Sequence, residues 1–444
     1  MGIFKAYDIR GIYPSELDEK LMRRIGNAVA QFLDAERILV SRDMRTSGES
    51  LAKAFVEGAT DAGVDCVDAG LLSTPGNYFA IANYGFGGGV AITASHNPPE
   101  YNGLKVSRGN AVPVGGESGL ADIEKMVVGG EYKRAAVKGK VVGMSASEDL
   151  TRHVLKFAKE IRPLKVAIDA GNGMAGHELP AVLDQLPIET KRLFFELDGT
   201  FPNHEANPLK EHNTRDLRRT VKKTGANFGA AFDGDADRCA FVDERGEMIP
   251  CDLVTAIIAK DILRGEPGAV ILYDCRSSRA VREDIEAAGG RGLPERVGHA
   301  FMKATLREKN GAFAGELSGH YYFRENFYCD SAAIAFVKML NVISAAGKPV
   351  SEIVKPLRRY FGTGEKNFRV EDKDAKLREI EAAFADAKIT HLDGITVEYP
   401  DWWFNVRKSN TEPLVRLVLE GNTSELRDEG YGRVQPMLGK PLEE

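Results

Sequence analysis

Short apolar runs closed by Gly, Asn or Asp alternate along this chain with stretches whose apolar residues recur at helical spacing. Runs at residues 38–40, 67–69, 89–93, 166–169, 228–232, 270–273 and 313–315 predict strands. Periodicity over 19–33, 148–161, 215–224, 278–288, 300–308 and 332–346 predicts helices between them. A capping-box pattern, Thr46-x-x-Glu49, predicts the start of a further helix that runs to about Ala62. Such alternation means α/β layers with largely parallel sheets. After Phe361-Gly-Thr-Gly364 the order changes to a charged helix over 374–387, short strands at 395–398, 403–407 and 414–419, and a last helix near 424–435. The expected fold class is therefore three similar α/β domains with mixed, mostly parallel sheets (1–145, 146–247 and 248–361) plus a C-terminal α+β domain (362–444), set around a central cleft.

An internal echo supports the first three units. Residues 89–97, 228–238 and 312–320 each join a Gly/Ala-rich strand to a polar loop. They read as equivalent elements, each offering one loop to a common cleft.

Composition narrows the class. The 444 residues are 43% hydrophobic and 28% charged, the balance of an ordinary globular chain. A net charge of −6 gives no general attraction to nucleic acid or to an anionic membrane. Five scattered cysteines without C-x-x-C pairing predict reduced thiols, with neither a disulfide frame nor a thiolate zinc site. No stretch approaches the roughly 20 apolar residues of a membrane span, and residues 1–6 lack a signal peptide's apolar core. A cytoplasmic protein, monomeric or weakly dimeric, is expected.

Four motifs carry candidate chemistry. Ser95, in Thr93-Ala-Ser-His-Asn-Pro98, follows a buried strand that is expected to stop at Pro98-Pro99. A serine held there is a candidate nucleophile or phosphoryl carrier, or simply part of a strand-to-loop turn. Asp233-Gly-Asp235-Ala-Asp237-Arg238 puts three carboxylates at alternate positions, suited to one hard cation such as Mg²⁺. An EF-hand loop fails because Arg238 stands where the sharp turn needs glycine; a solvated acidic turn is the remaining alternative. Arg407-Lys-Ser409-Asn410-Thr411-Glu-Pro413 offers a dense donor cluster for a phosphate dianion, or a turn closed by its own side chains. Glu316-Leu-Ser318-Gly-His320 could read sugar hydroxyls and contains no G-x-S-x-G elbow.

In this order, and together with Ala6-Tyr7-Asp8-Ile9-Arg10-Gly11, the four motifs resemble the α-D-phosphohexomutase family, in its bacterial phosphomannomutase/phosphoglucomutase branch. The likeness covers nearly the whole chain. It implies a four-domain fold and a phosphoserine at Ser95, with Asp233, Asp235 and Asp237 holding one Mg²⁺ beside it. Tyr7, Arg407, Ser409, Asn410 and Thr411 would grip the substrate's non-reacting phosphate. Glu316 and Ser318 would bind sugar hydroxyls, and Arg10, Lys105, Arg238, His299 and His320 would line the reacting end. Arg276 stands where the bacterial enzymes often carry Lys, so a point contact to phosphate becomes a forked one. The implied activity moves phosphate between O6 and O1 of a hexose (mannose, with glucose accepted) through a hexose 1,6-bisphosphate that also serves as activator. Lys105 is the first candidate proton acceptor, its pKa lowered by Arg10 and Mg²⁺, with an electrostatic clamp as its other reading and His299 and His320 as rivals. Phosphoglucosamine mutase, a metal-dependent sugar phosphatase and a non-catalytic sugar-phosphate sensor are the alternatives.

Overall fold

Every residue of strands Gly88–Ile92, Phe228–Phe232 and Phe313–Gly315 is buried. Strands with no exposed face belong inside a sheet, and all three lie there. The chain is described from a computed structural model, which covers residues 2–409 and 414–442. The first sheet runs Ile9–Ile12, Tyr101–Arg108, Gly88–Ile92, Arg37–Arg42, Asp65–Leu71, Val141–Gly143. The second runs Met248–Ile249, Cys239–Asp243, Phe228–Phe232, Leu164–Asp169, Ile188–Leu193. The third runs Arg291–Glu295, Val270–Asp274, Phe313–Gly315, Tyr321–Phe323, Cys329–Asp330.

The echo in the sequence is thus topological. Each of the three strands pairs parallel on one side, with Arg37–Arg42, Leu164–Asp169 or Val270–Asp274. On the other side each pairs antiparallel, with Tyr101–Arg108, Cys239–Asp243 or Tyr321–Phe323. The loops that leave their C-terminal ends carry Ser95, the three aspartates and Glu316–His320. The sheets are mixed as expected, but parallel pairings do not dominate: the second and third sheets each hold two of either kind. Helical crossovers make the parallel half and tight returns the antiparallel half.

The fourth sheet is antiparallel throughout, with Leu414–Gly421 and Trp402–Lys408 at its centre. Helices Lys373–Ala383 and Ser424–Leu438 pack on it around a separate core of Phe368, Ile380, Phe384, Phe404 and Val434. By contrast, one continuous apolar cluster runs from Leu39 and Phe79 through Phe228 and Phe313 to Leu357. Helix Ala332–Ala346 knits it together, its Phe336 ring lying 5.9 Å from Phe228 and 6.3 Å from Phe232.

Several elements differ from expectation. The helix expected over 148–161 is Ser147–Leu155. Asn341 takes the next turn out of the helix, donating to Phe157 O at 2.7 Å and accepting from Lys159 N at 2.8 Å. Helix Gly48–Asp61 starts without the capping box: no side chain caps it, and Ser47 Oγ instead accepts from Asn102 at 2.9 Å. The strand before Ser95 ends at Ile92, well short of Pro98-Pro99, because Thr93 turns its hydroxyl to Asp43. Helices Thr74–Asn83 and Cys251–Gly265 carry no clean apolar stripe, being buried on most sides. The five cysteines are unpaired and all but Cys275 are buried. Among the described residues no single helix is long and apolar enough to cross a membrane.

Candidate active site

Ser95 has a left-handed backbone, φ +52°, which costs a residue with a Cβ about 1 kcal/mol. Its surroundings impose that shape. Arg45, whose side chain is fully buried, donates through Nη1 to Pro98 O and Tyr101 O, each at 2.8 Å. Through Nη2 it donates to Ser95 O at 2.9 Å and Asn97 O at 2.6 Å. Asp43 balances its charge 3.4 Å away. Asp43 also accepts from Thr93 Oγ1 at 2.6 Å, and Thr93 Oγ1 accepts from Ser95 N at 2.8 Å. So held, Ser95 Oγ donates to Asp233 Oδ2 at 3.1 Å. Gly234 makes the approach possible, since a Cβ there would sit 2.5 Å from Ser95 O.

Asp233, Asp235 and Asp237 are buried and bring one oxygen each within 4.8 Å of the others. Asp235 Oδ1 is buried with no hydrogen-bond partner. An orphaned carboxylate oxygen inside an all-oxygen cluster fits a hard divalent ion. Burial first, then Asp237 and Asp235, pushes the Asp233 carboxyl well above its ordinary value. Lys105 reaches the cluster from strand Tyr101–Arg108, its Nζ 2.8 Å from Asp235 Oδ2 and 2.5 Å from Asp237 Oδ2. Burial pulls its pKa down, but Asp235 and Asp237 outweigh burial and hold it well above the ordinary lysine value. Asp235 and Asp237, the carboxylates that would hold a cation, dominate its surroundings more than Arg10 does. Arg10 donates to Asn97 Oδ1 at 2.5 Å and pairs with Asp8. Arg238 Nε lies 3.8 Å from Asp233 Oδ2.

Across the pocket, His320 Nε2 is 3.3 Å from Asp237 Oδ1 and its Nδ1 3.4 Å from Glu316 Oε2. Burial opposes its charged form, yet Asp237 and Glu316 bring its pKa to about 9. Glu316 also accepts from Gly298 N at 3.0 Å, Tyr322 OH at 2.7 Å and Ser318 Oγ at 3.3 Å. His299 is driven well below its ordinary value by burial and then by Lys303 and Lys105, and its Nδ1 is buried without a hydrogen bond. The Tyr7 ring lies edge-on to His299 at 5.5 Å, and its hydroxyl donates to Val297 O at 3.1 Å.

Further along, Arg276 pairs with Asp274 at 2.7 Å and with Glu365 at 3.2 Å. Glu365 also meets Arg407 at 2.7 Å. Ser409 N donates to Leu414 O at 2.8 Å. Asn410 and Thr411 lie outside the described residues. Sequence reading missed Arg45, whose ligands are backbone carbonyls. It also missed Thr74, which donates to Asp235 Oδ2 at 2.5 Å, and Glu365. The one available signal was Arg42-Asp43-Met44-Arg45 at a strand's end.

Loops of the three α/β units thus converge on one serine and three aspartates, and the antiparallel fourth unit reaches the third through Glu365 and Arg276. Family models described as phosphoglucomutase/phosphomannomutase alpha/beta/alpha domains I, II and III match residues 1–133, 147–246 and 250–360, and the C-terminal domain model matches 365–430. A phosphomannomutase of Salmonella montevideo is 37% identical over 94% of either chain. One of Methanocaldococcus jannaschii is 37% identical over 99% of this chain and 98% of that one. A crystal structure of a phosphoglucomutase/phosphomannomutase family protein from Burkholderia thailandensis superimposes with a TM-score of 0.90 at 32% identity, covering 98% of this chain and 95% of that one. The chain belongs to the phosphoglucomutase/phosphomannomutase family, within the α-D-phosphohexomutases, and is a mutase enzyme.

Proposed function

We propose that the enzyme moves a phosphoryl group reversibly between O6 and O1 of a hexose, with mannose 6-phosphate and mannose 1-phosphate as its main pair and glucose phosphates also accepted. The observation that supports this most is Ser95 Oγ at 3.1 Å from Asp233, inside a cluster of three buried aspartates.

In this reading phosphorylated Ser95 meets the free hydroxyl of the sugar phosphate. The hydroxyl oxygen forms a bond to phosphorus while the bond from phosphorus to Ser95 Oγ breaks, giving a bound 1,6-bisphosphate. That molecule turns around and returns its other phosphate to Ser95. Asp233, Asp235, Asp237 and an oxygen on Ser95 would hold one Mg²⁺, which when bound neutralises charge on the transferring group. Arg10, Lys105 and Arg238 add positive charge at the same end. Lys105 is the first candidate to take the proton from the attacking hydroxyl, with His320 and His299, whose Nδ1 is buried without a hydrogen bond, as rivals for that role; the same group returns the proton to the departing oxygen. Tyr7, Arg276, Arg407, Ser409, Asn410 and Thr411 grip the phosphate that is not reacting, while Glu316 and Ser318 bind hydroxyls between the two ends. Mannose and glucose differ only at C2, so contacts to other hydroxyls accept both.

Assays with mannose, glucose and glucosamine 6-phosphates, primed with a trace of hexose 1,6-bisphosphate, test the reading. Isomerisation of the first two, lost in Ser95→Ala, is the expected outcome. Preference for the glucosamine phosphate would make the enzyme a phosphoglucosamine mutase. Free phosphate without isomerised sugar would make it a phosphatase.

A further inference from the structure

Glu365 stands just past Gly364, whose φ is +65°, and just before strand Lys366–Arg369 of the fourth domain. Its Oε2 accepts from Arg407 Nη2 at 2.7 Å and from Arg276 Nη1 at 3.2 Å, and its Oε1 accepts from Arg416 Nη1 at 3.1 Å. Arg276 belongs to the third sheet's domain; Arg407 and Arg416 lie on adjacent strands of the fourth. One carboxylate is therefore a common partner of three guanidinium groups drawn from two domains. Burial opposes its charge, yet Arg276, Arg407 and Arg416 hold it ionised with a pKa of about 2. It stays an anion throughout the neutral range.

Three guanidinium groups crowded together repel unless an anion lies between them. With Arg276 and Arg407 nearly buried, water screens that repulsion poorly. The carboxylate orders the forks, and with Asp274 on the other side of Arg276 the three guanidinium groups still outnumber their carboxylates, leaving net positive charge for a phosphate. We propose that Glu365 is a positioning residue for substrate phosphate: it fixes the forks of Arg276 and Arg407 and fastens the fourth domain to the third where the non-reacting phosphate is gripped. This rests on the mutase reading above, which puts those two arginines on that phosphate.

The test uses Glu365→Gln and Glu365→Asp in the full chain, with mannose 6-phosphate titrated calorimetrically and steady-state kinetics run alongside. Glu365→Gln should weaken binding and raise KM about tenfold or more while kcat falls less than about threefold. Glu365→Asp, which keeps the charge on a shorter arm, should recover part of the loss, and thermal unfolding should shift little in either. Unchanged affinity overturns the proposal. Tighter binding by Glu365→Gln also overturns it, because the carboxylate would then be a rival for the arginines. Weak binding that merely tracks loss of the folded state in both variants overturns it as well, making Glu365 a stability residue. Failure of the unaltered chain to bind mannose 6-phosphate is a different result: it sinks the proposed mannose-phosphate substrate before any variant is made.

Discussion

A single guanidinium decides where Ser95 stands. Arg45 makes four hydrogen bonds to the backbone of residues 95–101 and buries its charge against Asp43. Lysine has a charge but no planar fork, so Arg45→Lys should lose most of these bonds. The expected cost is about 2–4 kcal/mol of stability, read by denaturant unfolding, with a fall in kcat larger than any rise in KM. In the proposed reaction Lys105 takes part in the transferring step. Lys105→Met should cut kcat by roughly 10²–10³-fold with little change in KM, and a change confined to KM would reject its part in the transferring step. The contrast between these residues shows what was legible. Ser95 and the three aspartates announce themselves by spacing and by the strands before them. Arg45 does not, because carbonyl oxygens have no letter in a sequence. Lys105 was legible only through the family resemblance, since its strand mixes buried Asn102 and Lys105 with apolar residues and shows no clean alternation.

At the scale of elements, the start of helix Thr74–Asn83 links two domains beneath the aspartates. Glu178, on helix Ala175–Leu183, accepts from Ser73 N at 2.6 Å and Ser73 Oγ at 2.7 Å. Thr74 N in turn donates to Asp235 O at 3.2 Å. Glu178 borders a cavity of about 190 Å³, and burial lifts its pKa from 4.5 to about 7 although Ser73 pulls the other way. The sign follows from which state ionises first. Between pH 4.5 and 7 the unfolded chain loses this proton before the folded one, so stability falls as pH rises and stays lower above 7. Glu178→Gln keeps a donor and an acceptor for Ser73 without that penalty. It should unfold at a higher temperature than the parent at pH 8, by on the order of 1 kcal/mol, with the gain vanishing near pH 4. Elements were easiest to read where one face met water. The helix Glu19–Leu33, with Asp18 as its cap, falls on its expected bounds. The end of Ser147–Leu155 was hidden because the side chain that stops it, Asn341, lies far along the chain.

For the whole molecule, the division of the core matters most. The fourth domain has its own apolar centre, while the second and third share one with part of the first. It joins the rest through the chain just ahead of Phe361, which already pairs in the fourth sheet, and through ties such as Arg279 to Tyr399 O at 2.6 Å and Val297 N to Asp393 at 3.1 Å. Polar ties break and re-form more cheaply than a packed core does, so we expect this domain to swing on sugar-phosphate binding, with its hinge near the start of Phe361–Gly364. X-ray scattering should show a smaller radius of gyration with mannose 6-phosphate bound, and identical profiles would argue against a hinge. The repeated architecture was readable from three short echoes, whereas the shared core was not, because it depends on which faces of separate units meet. That repetition has a consequence for inheritance. The same position in each unit has been given a different task, so no unit is a smaller version of the catalyst. A gene cut after its first third would encode Ser95 without the three aspartates it faces and without the loop that carries Glu316 and His320.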